Sequence, residues 1–228
     1  PCPDPFLHCH GLHEWAMQYH PPGAPPPPSA RYQSHLPLRV DVDRDVINAA
    51  VERRGVRCTH VDALRFFAPA AGPLNHHGHE LERTDQLRLE QPGCVHAHMD
   101  LFKLSLRLQP FVDAALVGEC LECALDARRL DVEASPYDGS EYGLGVVPVE
   151  GAGGRKLYRE RQVELMERVR PVRERLLGAY DDFLNLAFDE DDLGRGERDP
   201  APERYARARP GGLPWRKNLI DGDGEGGG

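Results

Sequence analysis

Apolar and polar residues alternate most regularly between Arg155 and Ala187. Apolar side chains recur there every three or four residues, and charged residues fill the positions between them. The repeating apolar positions are Tyr158, Leu165, Val169, Val172, Leu176, Tyr180 and Phe183. This spacing predicts an amphipathic helix over 155–187, which Pro171 should kink or split because proline removes a backbone hydrogen bond. We expect this helix to pack on the rest of the domain, and contact with a protein partner is the alternative.

Shorter helices are predicted earlier in the chain, from apolar spacing and from residues that begin or end helices. Asp45 can cap a helix that ends near Gly55, and Thr59 can cap a short helix that follows it. A third helical element opens at Pro92, and a fourth has Pro110 at its first position. The pattern therefore predicts a mainly α protein, with a single helical domain and a long, kinked C-terminal helix.

Two segments fall outside this helical pattern. Residues 21–28 read PPGAPPPP, which predicts a Pro-rich surface loop over 21–29. Residues 189–228 are rich in Gly, Pro and acidic groups, so we expect a disordered tail after a helical domain over 1–188. Within that tail Trp215 is the residue best able to dock on the body or on a partner.

Composition and charge narrow the class of protein. The 228 residues carry a net charge of -9, and only the stretch from Arg155 to Arg175 is locally basic, with eight basic and four acidic side chains. This balance argues against tight, non-specific DNA binding. No apolar run approaches the roughly 18 residues of a membrane span. The six cysteines are too sparse for a secreted disulfide scaffold, so we expect reduced thiols in an intracellular protein.

Clustered histidines are the first candidate for chemistry. If the run from Cys9 to Met17 is helical, His10, His13 and Glu14 share one face. That face could hold a metal ion, although Met17 stands where a zincin motif would need its second histidine. Buried, hydrogen-bonded histidines are the alternative interpretation.

Asp100 is the second candidate. A helical reading places it with His96 and Lys103, and an extended reading places it with His96 and His98. A carboxylate beside an imidazole can orient water, stabilise a cation or bind metal, whereas a salt bridge to Lys103 would be purely structural.

Two further polar groups lie at short or constrained elements. One combines His60, Asp62 and Arg65 with the aromatic side chains of Phe66 and Phe67. The other places Ser135, Tyr137 and Asp138 at the turn that Pro136 should enforce, where helix capping is the ordinary role for Ser or Asp.

Five runs, in this order, resemble a family of actinobacterial and cyanobacterial proteins named 3-methyladenine DNA glycosylase. The runs are Gly11-Leu-His-Glu-Trp-Ala-Met, Cys58-Thr-His-Val-Asp-Ala-Leu-Arg-Phe-Phe, Pro73-Leu-Asn, Glu90-Gln-Pro-Gly-Cys-Val-His-Ala-His-Met-Asp-Leu-Phe-Lys and Leu130-Asp-Val-Glu-Ala-Ser-Pro-Tyr-Asp. The resemblance covers residues 6 to about 180 and implies that the chain is truncated at its N-terminus relative to the family.

The resemblance implies a DNA repair enzyme that hydrolyses the N-glycosidic bond of an alkylated purine, without a cofactor. In that role a carboxylate would stabilise an oxocarbenium-like state or activate water. The candidates are Asp100 and Asp138, followed by Glu14. The aromatic candidates for stacking on a flipped base are Trp15, Phe66 and Tyr137, and those for contacting alkylated DNA through its phosphates are Arg65 and Lys103.

Two other function classes stay open on the sequence. A metal-dependent hydrolase or oxygenase would bind Zn, Fe or Mn with a set drawn from His10, His13, Glu14, His96 and Asp100. A non-catalytic helical adaptor would bind a protein partner through the helix over 155–187.

Overall fold

The computed structural model describes residues 4–27, 36–78 and 81–188, and these residues are mainly α-helical, as the sequence predicts. In chain order the helices are α1 (Leu12–Gln18), α2 (Arg44–Glu52), α3 (Val61–Leu64), α4 (Arg83–Leu89), α5 (Val95–Arg107), α6 (Ala114–Glu133) and α7 (Ala152–Ala187). Extended pairing in the described part is confined to two isolated bridges, Leu38 with Tyr137 and Val56 with Asn75.

The chain divides into two compact units, Pro1–Phe183 and Leu184–Gly228. The described residues of the second unit, 184–188, carry the last residues of α7. The predicted tail over 189–228, including Trp215, lies outside the described residues, so the predicted boundary at 188 stays a prediction. Residues 21–27, the described part of the predicted Pro-rich loop, contain turns and no helix.

The predicted apolar stripe of α7 faces the core of the first unit. Tyr158 and Val169 are completely buried, and Tyr180 donates a hydrogen bond from its hydroxyl to the Leu104 carbonyl of α5 at 2.8 Å. Arg161 Nη1 donates to the Glu133 carboxylate at the end of α6, at 2.6 Å. These contacts fix α7 against both α5 and α6, which themselves pack along each other.

Pro171 does not split α7, so that part of the prediction is wrong. The helix is continuous from Ala152 to Ala187, and Val169 and Val172 are buried on either side of the proline. Burial of both flanking segments on one core outweighs the hydrogen bond that the proline removes. A kink at this position stays a prediction.

Three of the predicted helix starts lie at other residues. The side chain that caps α2 is that of Asp43, which accepts from the Val46 amide at 2.9 Å, and α6 is capped by Asp113 rather than begun by Pro110. The residue before α3 is His60, one position after Thr59. Each shift moves the start by a few residues, as expected where several capping residues lie close together.

Helix α1 is held against the end of α6, and this contact builds the candidate site. The indole Nε1 of Trp15 donates to the Ala134 carbonyl at 2.8 Å, and Trp15 is fully buried. Just before the helix, Gly11 has φ 69°, and a Cβ there would lie 3.1 Å from Ala134 Cβ. The close approach that glycine permits brings His13 of α1 to the last turn of α6.

Among the described residues, no helix combines the length and the apolar character that crossing a membrane would require.

Candidate metal centre

Three side chains from three helices converge in the first unit. His13 of α1, His96 of α5 and Asp131 of α6 each offer one ligand atom, and these atoms all lie within 4.8 Å of one another. His13 and Asp131 are buried, and His96 as a whole residue is half-buried. Two imidazoles and one carboxylate are a ligand set that Zn²⁺, Mn²⁺ and Fe²⁺ accept.

The closest contact in this trio is not a well-aligned hydrogen bond. His13 Nε2 lies 2.7 Å from Asp131 Oδ1, yet neither atom has a partner in hydrogen-bonding geometry among the described residues. The N–H direction of the imidazole and the carboxylate oxygen are therefore not in line.

Local contacts position the side chains of His96 and Asp131. His96 is the second residue of α5, and the loop before it is fixed by Gln91, whose Oε1 accepts from the amides of Phe6 and Gly93 at 2.8 Å. The same loop is held from α7, because the Gln162 amide donates to the Gly93 carbonyl. Asp131 lies in the last turn of α6, on the side of that helix that faces the core.

A second contact orients the Asp131 carboxylate. Arg128 Nη1, one turn earlier on α6, donates to Asp131 Oδ2 at 2.7 Å. The ion pair leaves Oδ1 directed at His13. Such outer contacts fix the orientation of a ligating carboxylate.

The charges of the trio are strongly coupled. Burial by itself raises the pKa of Asp131. The adjacent His13 acts in the opposite direction and prevails, so the pKa of Asp131 is lowered and the carboxyl is ionised. Burial lowers the pKa of His13, and the Asp131 carboxylate outweighs that effect and raises it. Burial and then the His13 charge hold the pKa of His96 well below its usual value, so this imidazole is neutral and its lone pair is available.

Glu14 borders the same site. Its Oε1 lies 3.8 Å from His13 Nε2, and the side chain is buried. Burial, followed by repulsion from Asp131, raises the pKa of Glu14 to about 7. A carboxyl group with such a pKa can exchange a proton near neutral pH.

His60 and Asp100 extend the polar cluster toward the surface. The His60 ring stacks on His96 with centroids 5.0 Å apart, and its Nε2 donates to Asp100 Oδ2 at 3.1 Å. Lys103 Nζ lies 2.6 Å from the other Asp100 oxygen. Burial raises the pKa of Asp100, but the hydrogen bonds from His60 and Lys103 lower it to about 2.

Asp100 thus has the predicted Lys103 partner, and the histidine that hydrogen-bonds to it is His60. The helical reading of this run is the one that the structure adopts, since α5 covers all of it from Val95. The His60 side chain comes from the residue just before α3.

The predicted shared face of His10, His13 and Glu14 is wrong. Helix α1 begins at Leu12, and His10 precedes it with φ 48°. His10 therefore leaves the helical stripe and lines a separate recess with Arg54 and Arg155. Only His13 and Glu14 of the predicted set lie at the metal candidate.

The aromatic candidates for stacking on a base occupy different environments. Trp15 is completely buried and Tyr137 nearly so, with its hydroxyl accepting from Gln18 Nε2 at 2.9 Å, so neither ring face is open to a ligand. Phe66 is 42% exposed, and the guanidinium of Arg65 lies over its ring at 4.8 Å from the centroid.

Asp138 has a local structural role. Its carboxylate accepts from the Ser140 amide at 2.9 Å. Hydrogen bonding from the Ser140 side chain, and then from this amide, lowers the pKa of Asp138. The contact closes the turn after Pro136 and is a local turn hydrogen bond, since the short helix that follows has Gly139 at its N-cap and no side-chain cap.

Asp131 is the functional residue that sequence reasoning missed. In the sequence it belongs only to the run that begins at Leu130, yet it occupies a core-facing position of α6 together with Cys120, Cys123, Ala127 and Leu130. A single aspartate on an otherwise apolar helix face is the signal that would have identified it.

No protein family matches the chain, and no curated protein or solved structure is significantly similar to it. The metal candidate is therefore defined by the geometry of His13, His96 and Asp131 alone.

Proposed function

We propose that this protein is a metal-dependent hydrolase whose divalent ion is bound by His13, His96 and Asp131. The observation that carries the proposal is the convergence of these three ligand atoms within 4.8 Å of one another. Tetrahedral coordination of Zn²⁺ places ligand atoms about 3.3 Å apart, so small side-chain rotations would complete the site.

The number of ligands supports a catalytic rather than a structural ion. Structural zinc sites use four protein ligands, whereas catalytic sites use three and keep a position for water or substrate. The partly exposed His96 marks the side from which a substrate would approach. A divalent ion at such a site activates water and polarises the bond that is hydrolysed.

The surrounding residues have defined tasks in this proposal. Arg128 holds the Asp131 carboxylate in its orientation, and His60 supports the His96 ring by stacking. Glu14, at 3.8 Å from the His13 ring nitrogen, is placed to accept a proton from water. Lys103 neutralises Asp100 at the rim, where it would also attract an anionic substrate.

The first experiment measures metal per chain by inductively coupled plasma mass spectrometry on untagged protein. We expect close to one Zn or Mn per chain in the wild type, and loss of that metal in Asp131→Asn and in the His13→Ala, His96→Ala double variant. His76→Ala, which removes an exposed imidazole outside the trio, should keep the metal. Thermal melts identify any variant that fails to fold.

The second experiment tests hydrolysis. Wild-type protein, Asp131→Asn and Glu14→Gln are assayed on bis(p-nitrophenyl) phosphate and p-nitrophenyl acetate with added Zn²⁺ or Mn²⁺. The proposal expects turnover that chelation and Asp131→Asn abolish, while Glu14→Gln retains metal but loses at least tenfold in rate. Protein that binds no metal in any purification contradicts the proposal.

A second candidate, excision of alkylated purines, is favoured by the surface beside Asp100. Asp62 there contacts three cationic side chains: Arg65 at 3.8 Å, Arg83 at 3.2 Å and Lys103 at 3.7 Å. Exposed Phe66 lies under Arg65, so the surface combines phosphate-binding cations with one open aromatic ring.

The test of this candidate is release of 3-methyladenine from alkylated duplex DNA. Excision that survives chelation and falls in Asp100→Asn would favour the glycosylase over the hydrolase. Full excision activity in Asp100→Asn would remove Asp100 from the proposed chemistry.

A further inference from the structure

A recess separate from the metal candidate lies where the segment before α1, the end of α2 and the start of α7 meet. Its polar lining consists of four arginines, Arg53, Arg54, Arg57 and Arg155, and two histidines, His8 and His10. The lining contains no carboxylate among the described residues, although the chain as a whole carries a net charge of -9. Its cavity volume is about 50 Å³.

Local structure explains how the arginines come together. Arg53 and Arg54 follow the last turn of α2, and Gly55, with φ 65°, lets the chain reverse at once. A Cβ at Gly55 would lie only 2.7 Å from the Leu74 carbonyl oxygen. This turn brings Arg57 to the same recess.

Ordinary structural roles do not account for the whole set. Arginines at a helix C-terminus interact favourably with the helix dipole. This role explains Arg53 and Arg54 only. Arg57 and Arg155 come from other segments, and Arg155 is anchored by donation to the carbonyls of Val149 and Glu150. Arg53, Arg54 and Arg57 have no carboxylate within 4.0 Å in the part of the chain that the structure describes.

His10 provides an independent observation at the same place. The residue is 6% exposed, and its ring Nδ1 is buried without a hydrogen-bond partner among the described residues. Its φ of 48° is a conformation that costs free energy for any residue except glycine. Nearby on α7, the Nε atom of Arg159 is likewise buried and unpartnered within the described chain. Unpaired donors and strain of this kind are found where a ligand supplies the missing contacts.

We propose that this recess binds a phosphate group. Several arginines that line one recess supply the positive charge and the N–H donors that the oxygens and the double charge of phosphate require, which a single carboxylate would not. A recess of about 50 Å³ has room for one compact oxyanion. The phosphate is either free in solution or the terminal group of a larger molecule that extends outside the recess.

Isothermal titration of the full chain with inorganic phosphate, at pH 7 and fixed ionic strength, tests the proposal. We expect a dissociation constant below about 1 mM, and at least tenfold weaker binding in the Arg54→Gln, Arg57→Gln double variant. Arg44→Gln, an exposed arginine at the other end of α2, is the matched control and should bind as the wild type does.

The proposal is overturned if no heat of binding is detected up to about 10 mM phosphate. It is also overturned if Arg44→Gln weakens phosphate binding as much as the double variant does. Circular dichroism and the metal content of each variant show that folding and the metal candidate are intact. A second titration compares two oligonucleotides that differ only in a 5′-phosphate. Tighter binding of the phosphorylated one identifies a terminal phosphate as the ligand, and equal binding of the two identifies free phosphate.

Discussion

At the scale of single residues, the buried carboxylate of Asp131 determines the character of the site. It is completely buried between His13 and Arg128, each 2.7 Å away. An ionised group in such a place is costly unless it is paired, and here one of its two oxygens has no aligned hydrogen-bond donor among the described residues. Removing one partner of such a buried pair leaves the other charge uncompensated, which destabilises the protein.

Replacing this carboxylate should destabilise the metal-free protein. In Asp131→Asn, His13 loses its counter-charge while Arg128 can still reach water, so the free energy of unfolding should fall by about 1–3 kcal/mol. Urea denaturation in the presence of a chelator at pH 7 measures the change. Asp126→Asn breaks an exposed pair with Arg168 and should cost less than about 1 kcal/mol. Equal losses in the two variants would show that the buried pair of Asp131 with His13 contributes no more to stability than an exposed ion pair does.

His10 should make the protein sensitive to acid. Burial, then the charges of Arg159, His8, Arg155 and Arg54, lower the pKa of His10 from 6.5 to about 3. The unfolded chain therefore takes up a proton below pH 6.5 that the folded chain refuses, and stability falls as the pH drops through that range. Between pH 7 and pH 5 this one group should remove about 2 kcal/mol from the free energy of unfolding.

The comparison of wild type with His10→Gln isolates that contribution. Urea denaturation in phosphate-free buffer should show a smaller loss of stability from pH 7 to pH 5 in the variant. An identical pH dependence in both proteins would mean that His10 is not the group that resists protonation.

At the scale of elements, helix α7 shows why some of the fold was predictable from sequence. Its apolar spacing is long and regular, and the buried positions Tyr158, Leu165, Val169, Val172 and Leu176 are those that the pattern predicted. The exact starts of α2 and α6 were missed because the capping choice depends on local hydrogen bonds. The seven-residue α4 has no buried side chain, so no apolar stripe could reveal it.

Two adjacent leucines of α7 test this packing directly. Leu176 is 2% exposed and belongs to the core, whereas Leu177 is 59% exposed. Leu176→Ala should lower the free energy of unfolding by about 2–5 kcal/mol, and Leu177→Ala by less than about 1 kcal/mol. Urea denaturation midpoints at constant slope measure both changes. Similar losses at the two positions would contradict the orientation of α7.

At the scale of the whole molecule, the fold class was predictable and the site was only partly so. His13, His96 and Asp131 are separated by 83 and 35 positions in sequence and meet because α1, α5 and α6 pack together. Spacing along the chain contains no information about such a meeting. His13, His96 and Glu14 were identified because histidines and acids clustered locally, whereas Asp131 stands alone on an apolar face of α6.

The central claim is that one divalent ion is bound by these three side chains. Anomalous diffraction at the zinc edge, from crystals of the full chain grown with Zn²⁺, tests it most directly. We expect a peak about 2.0–2.2 Å from ring nitrogens of His13 and His96 and from Asp131 Oδ1. A peak bound by other residues, or crystals with no peak at this position, would contradict it.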